Sequence, residues 1–79
     1  KVMNITLYKS ATCPQCKVAK MKLDKKGLPY TEVYVENTDA AELEAAGVKG
    51  IPTLIADGVK LNKITDISKW IDAQEVSNG

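Results

Sequence analysis

Cys13 and Cys16 are the only cysteines in this 79-residue chain, and they stand in the run Thr12-Cys13-Pro14-Gln15-Cys16-Lys17. Three chemistries suit such a pair. The first is dithiol–disulfide exchange. Residues i and i+3 at the start of a helix lie about 5–6 Å apart, a separation that a disulfide tolerates. Cys13 would be the N-cap, near unpaired N–H groups and the positive end of the helix dipole. Those donors favour a thiolate over a thiol, whose unperturbed pKa is about 8.5. Cys16, one turn inside, would be the less exposed of the two. An exposed thiolate that attacks and a sheltered thiol that resolves are what exchange needs. Lys9 and Lys17 add positive potential. The second chemistry is metal binding. Two cysteines are half of a structural zinc site, so a dimer would have to share four thiolates around zinc or an iron–sulfur cluster. The third is an inert structural disulfide, but so short a loop constrains the unfolded chain very little. A cysteine pair in this strand-to-helix context favours the first.

The residues that are missing narrow the chemistry further. The chain has no His and no Arg; all 11 of its basic residues are Lys, against 10 acids, for a net charge of +1. Without His it lacks the usual general base and the commonest metal ligand. Without Arg it lacks the bidentate fork used on phosphates and carboxylates. The near-zero net charge argues against a nucleic-acid binder, which is usually strongly basic. The charge is unevenly spread. Residues 1–26 hold seven Lys and one acid, and residues 27–79 hold four Lys and nine acids. Lys20, Lys22, Lys25 and Lys26 make a basic helix, read as a solvated face unless it steers acidic partners.

Seventy-nine residues is a single domain, here taken as 1–79, near the lower size limit for folding alone. The 44% hydrophobic content argues against disorder. No run of about 18 apolar residues is present to span a membrane. The first residues lack the apolar stretch and cleavage site of a signal peptide, so either export does not occur or a leader has been removed; a cytoplasmic protein is the expectation.

The elements that must hold the cysteines are readable from periodicity. Met3, Ile5 and Leu7 alternate with polar neighbours, which predicts a strand. Pro14 to Lys26 predicts a helix, with Cys16, Ala19 and Leu23 inward, Pro14 at the first position and Gly27 at the stop. Tyr30 to Val35 predicts a second strand. Asp39 and Glu42 resemble a capping box ahead of a short helix, Ala40 to Ala46, that ends at Gly47. Pro52 to Ala56 and Val59 to Leu61 flank Asp57-Gly58, a strong hairpin signal. Ile64, Ile67, Trp70 and Ile71 predict a helix over Thr65 to Glu75, docked through Trp70 as core, with Val76 to Gly79 fraying. The order is β-α-β-α-β-β-α. The first two strands should be parallel with a right-handed crossover, the last two antiparallel, in one mixed sheet flanked by helices.

With those elements in place, the chain resembles a small glutaredoxin. Tyr8 to Cys16, then Ala19-Lys20, Leu23 and Gly27, are similar to that family's strand, CPxC and first helix. Gly50-Ile51-Pro52-Thr53 is similar to its x-V-P-T segment. The resemblance covers essentially the whole chain. It implies the thioredoxin-like fold with a four-stranded mixed sheet, and a redox-active disulfide. It also implies a cis peptide before Pro52, which would face the sulfur, and a backbone at Ile51 that pairs with substrate as an added strand. Thr12, Pro14, Gln15 and Thr53 would line the substrate, with Thr12 and Thr53 able to hydrogen-bond a sulfur. Lys9 and Gly58 would contact glutathione or a partner.

The sequence departs from the family at three points. Gln15 replaces the usual Tyr. Ser10 stands where the family's glutathione-contacting Lys falls, with Lys9 one place earlier. The G-G-x-[DS] segment that holds the γ-glutamyl end of glutathione is reduced to Gly58 followed by Val59-Lys60-Leu61-Asn62. CxQC is reminiscent of NrdH-type redoxins, which take electrons from thioredoxin reductase and serve ribonucleotide reductase, although their W-S-G-F segment is missing. The reading is therefore a monomeric, cytoplasmic thiol–disulfide electron carrier with no bound cofactor or metal. Its co-substrate would be glutathione or, in the NrdH-like alternative, its donor would be thioredoxin reductase. Its substrates would be protein disulfides, ribonucleotide reductase among them, with no nucleic acid and no membrane. The competing classes are the shared-metal dimer and a partner-binding domain that keeps only the fold.

Overall fold

In the first strand, β1 (Ile5–Lys9), Ile5, Leu7 and Lys9 are buried and the residues between them are half-buried. The alternation therefore sends one face of the strand into the core. The computed structural model describes residues 4–74, so Met3 and residues 75–79 lie outside it, and with them the expected fraying of Val76 to Gly79. The remaining elements are α1 (Pro14–Lys26), β2 (Thr31–Tyr34), a 3-10 turn (Val35–Asn37), α2 (Ala40–Ala45), β3 (Thr53–Ala56), β4 (Val59–Leu61) and α3 (Ile64–Ala73).

The four strands form one sheet in the order β2-β1-β3-β4. β1 and β2 are parallel, with Tyr8 opposite Val33. β3 runs antiparallel to β1, with Tyr8 opposite Thr53, and β4 antiparallel to β3. One core fills the space between the sheet and α1 and α3: Ile5, Leu7, Ala19, Leu23, Leu54, Ala56, Ile67 and Ile71. Burial of each large member contributes roughly 1.5–3 kcal/mol. Trp70 packs against this cluster, as its spacing predicts.

The helix ends follow the local chemistry. Gly27 takes a left-handed φ of 71°, and the N–H groups of Gly27 and Leu28 donate to the carbonyls of Asp24 and Leu23. Two orphan carbonyls are satisfied and Leu28 is turned onto the core. The basic face of α1 is largely paired rather than free. Lys20 meets Asp24, Lys22 meets Asp72, and Lys26 donates to the carbonyls of Asp72 and Gln74 at the end of α3.

Several details differ from the sequence reading. Val35 leaves the strand and opens the 3-10 turn, which is held by Thr38 Oγ1 donating to the Tyr34 carbonyl at 2.9 Å. Asp39 is the N-cap of α2, but its carboxylate makes no capping bond. The Glu42 and Leu43 N–H groups already bond the Asp39 carbonyl, at 3.0 and 3.1 Å, so the capping box does not close. α3 starts at Ile64 and ends at Ala73, where Gln74 turns extended and its amide donates to the Trp70 carbonyl at 2.9 Å.

Candidate active site

Strand direction decides what can meet. β1 and β2 are parallel, so both end at one edge of the sheet; β3 is antiparallel and starts there, and β4 ends there. That edge therefore gathers the Ser10–Cys13 loop, the turn holding Glu36, the Gly50–Pro52 segment and Asn62. The Ile51–Pro52 peptide is cis, as the resemblance implies, and Pro52 is buried.

Cys13 and Cys16 form a disulfide, with Cα atoms 5.2 Å apart. Cys13 is the N-cap of α1, and its sulfur accepts the Cys16 N–H at 3.1 Å. The second sulfur is one turn inside. Cys16 is fully buried while Cys13 is half-buried. Pro14, Gln15 and Thr12 around them are exposed, which leaves the Cys13 side open to a partner. The predicted asymmetry between an accessible and a sheltered sulfur is thus present. An N–H directed at the accessible sulfur favours its thiolate.

The Ser10–Cys13 loop is pinned from the 3-10 turn that follows β2. Glu36 Oε2 accepts the Ala11 N–H at 3.1 Å. This bond, and then the carboxylate's bond to its own backbone N–H, hold the Glu36 carboxyl below the usual carboxylate range. Within the loop Cys13 N–H donates to the Ser10 carbonyl at 3.3 Å, and the Ser10 and Thr12 hydroxyls lie 3.4 Å apart. The Gly50–Pro52 segment is held differently. Thr53 is fully buried, and its hydroxyl donates to the Gly50 carbonyl at 2.6 Å. The hydroxyl also lies 3.1 Å from the side-chain amide of Asn62. Thr12 and Thr53 therefore bond to oxygen and amide groups, not to sulfur as the sequence reading allows.

Lys9 closes β1 just before the loop. Its side chain is only 7% exposed, and its ammonium meets Glu32 at 2.7 Å and lies over the Tyr34 ring, 5.1 Å from the centroid. The Glu32 hydrogen bond, against the opposing effect of burial, raises the Lys9 pKa above its ordinary value. This lysine is committed within the protein. Gly58 lies elsewhere in the sheet. It occupies the β3–β4 turn, with φ of 88°, at the sheet edge opposite the sulfurs. An antiparallel hairpin puts its turn one strand length from the start of β3, so Gly58 lies that far from the sulfur edge. The residue that β4 returns to the sulfur edge is Asn62.

The structure thus gathers Thr12, Cys13, Pro14, Gln15, Cys16, Ile51, Pro52 and Thr53 at one edge of the sheet and places Gly58 at the other. Glu32, Glu36 and Asn62 are site-supporting residues that sequence reasoning missed. Glu32 carried one signal, since it sits in a strand paired with the strand that feeds the cysteine loop, and Glu36 lies in the turn that follows that strand. A depression of about 530 Å³ beside α2, lined by Ala40, Leu43, Glu44, Gly47, Val48 and Lys49, holds none of these side chains. Among the described residues no three His, Cys, Asp or Glu gather as a metal cluster. No helix among them is long and apolar enough to cross a membrane.

Comparison with known proteins agrees with this geometry. The family model described as Glutaredoxin matches residues 5–61. The chain is 32% identical over 68 residues to Glutaredoxin 1 of Rickettsia prowazekii, covering 80% of this chain and 72% of that one. It is 34% identical to Glutaredoxin 1 of Rickettsia typhi, of which it spans 65%. It is also 33% identical over 72 residues to mouse Prostaglandin E synthase 2, covering 90% of this chain but only 19% of that protein's length. Among solved structures, a thioredoxin-like protein, BC3987, superposes with a TM-score of 0.70 at 26% identity, over 82% of this chain and 95% of that one.

Proposed function

The chain belongs to the glutaredoxin family of thiol–disulfide oxidoreductases, and from that premise we propose that it is a dithiol electron carrier reducing protein disulfides with glutathione as its reductant. The observation that carries this reading is the pairing of a half-buried Cys13 at a helix N-cap with a fully buried Cys16 in one disulfide.

In the reduced protein the Cys13 thiolate attacks one sulfur of a substrate disulfide. The substrate S–S bond breaks, its departing sulfur leaves as a thiolate and takes a proton, and a mixed disulfide joins Cys13 to the substrate. Cys16 then loses its proton and attacks Cys13 Sγ, which releases the second substrate thiol and leaves the Cys13–Cys16 disulfide. Two electrons pass to the substrate. Two glutathione molecules restore the dithiol and leave as glutathione disulfide. The backbone at Ile51, ahead of Pro52, pairs with the substrate chain, and Thr12, Pro14 and Gln15 border the entering disulfide. The protein works as a cytoplasmic monomer, and ribonucleotide reductase is one candidate substrate.

A second reading, with thioredoxin reductase as donor, is favoured by one observation. The lysine nearest the cysteine loop in sequence, Lys9, is buried and already neutralised by Glu32, so it is not free to hold a glutathione carboxylate. One NADPH-coupled assay on a disulfide substrate separates the two. Turnover with glutathione and glutathione reductase is expected. Turnover only with thioredoxin reductase transfers the chain to the NrdH-like reading, and turnover with neither removes both.

A further inference from the structure

The Thr53 hydroxyl carries one proton but has two polar neighbours. The Gly50 carbonyl oxygen is 2.6 Å away and the Asn62 side-chain oxygen, Oδ1, is placed 3.1 Å away, so both neighbours as placed are acceptors. A hydroxyl donates once and accepts through its lone pairs. The carbonyl, at the shorter distance, can only accept and therefore takes the proton. The Asn62 amide must then turn its NH2 to the hydroxyl, since a half-turn about its last torsion exchanges its oxygen and nitrogen. The result is a directed chain, Asn62 N–H to Thr53 O–H to Gly50 C=O. Thr53 is fully buried and the chain leaves no polar atom of its side chain unsatisfied.

We propose that Asn62 is a positioning residue for disulfide exchange: its amide orients the Thr53 hydroxyl onto the Gly50 carbonyl and so fixes the backbone of Gly50 and Ile51 for the incoming substrate. The proposal rests on the function given above, in which Ile51 is the strand that receives substrate. The placement is specific to this chain's topology. β4 is three residues long and ends opposite Leu54, so the next residue, Asn62, arrives beside Thr53 at the sulfur edge. Asn62 itself is exposed. An exposed asparagine with its head directed at a buried hydroxyl is held there by that bond rather than by burial.

Polarity makes the idea testable apart from packing. Asn62→Asp keeps the shape but at neutral pH can only accept. The Thr53 proton then goes to the carboxylate, because a charged acceptor outcompetes a carbonyl, and Gly50 loses its donor. Asn62→Ala removes the amide but leaves the Thr53–Gly50 bond free to form. With an uncharged peptide disulfide as substrate, Asn62→Ala is expected to lower kcat/KM about threefold and Asn62→Asp about tenfold, the range of one neutral to one charged hydrogen bond. The losses should lie in KM, with the Cys13–Cys16 reduction potential unchanged. A space-filling role predicts the reverse order, alanine worse than aspartate. That order, or wild-type KM in both variants, overturns the proposal. If the wild-type protein turns over no disulfide at all, the functional reading falls. The relay is then judged by NMR alone: slow exchange of the Asn62 side-chain amide protons upholds it, and free exchange removes it.

Discussion

The two segments that border the disulfide are held by different forces. The Ser10–Cys13 loop is tied to the 3-10 turn after β2 by an exposed carboxylate, Glu36, bonded to the Ala11 N–H. The Gly50–Pro52 segment is tied by neutral groups around a hydroxyl that water does not reach. A charged bond in water weakens with salt and disappears when the acid is protonated; a neutral buried one does neither. The site thus joins a segment whose hold depends on solution conditions to one whose hold does not. The first ends at Cys13, and the second carries the backbone proposed to dock substrate.

The largest test of that division of labour is at the sulfurs. Cys13→Ser is expected to reduce disulfide turnover to background, and Cys16→Ser to leave Cys13 trapped as a mixed disulfide visible by mass spectrometry. Full turnover in Cys13→Ser would sink the assignment. Next in size is the ion pair beneath the charged loop. Glu32→Ala strands the Lys9 ammonium in a nearly dry site. Because Glu32 is itself a third exposed, the expected cost is about 1–2 kcal/mol rather than that of a fully buried pair. Urea denaturation reads it. The sign of its pH dependence follows from the raised Lys9 pKa. Wild-type protein keeps this contribution below the ordinary lysine value of 10.5 and loses it as the pH rises through the higher folded value.

A subtler contrast should appear on acidification. The Glu36 carboxyl is held below its ordinary value of 4.5. Its tether is therefore complete above that pH and is lost as the pH falls through the lower folded value. The Ala11 amide resonance should shift with that titration while those of Gly50 and Thr53 stay still. Equal movement of both segments would erase the distinction drawn between them. The smallest effect belongs to Glu36→Gln, which keeps an acceptor for Ala11 but drops the charge. At neutral pH kcat/KM should change less than about twofold, and the acid titration of the Ala11 amide should vanish.

Much of this was legible in advance because short-range rules wrote it. Alternation at Met3, Ile5 and Leu7, proline at the first turn of α1, glycine at its stop and Asp57-Gly58 in the hairpin each name a conformation by local sterics. The i, i+3 spacing of Cys13 and Cys16 names their separation in the same way. The failures share a cause. Gly58 is named by its position in a family motif, and the hairpin carries it to the edge opposite the sulfurs. Glu32, Glu36 and Asn62 act across strands, over separations of 23, 25 and 9 residues. No local pattern marks a side chain whose partner lies in another strand. Asp39 shows the converse, a local motif that the backbone satisfied before the side chain was needed.

The far edge of the sheet has its own consequence. The Asp57 turn sits there, bonded to the backbone of Asn4 through its carboxylate and its own N–H. The C-terminal turns of α1 and α3 lie together, joined by Lys26. Asn4 and Gln74, the first and last described residues, therefore both belong to the side away from the cysteines. Additional polypeptide spliced at either point would extend the molecule without crossing the reacting edge. This is the geometry of a portable module, one that longer proteins can house whole, and a reporter or affinity tag attached there should leave turnover unaltered.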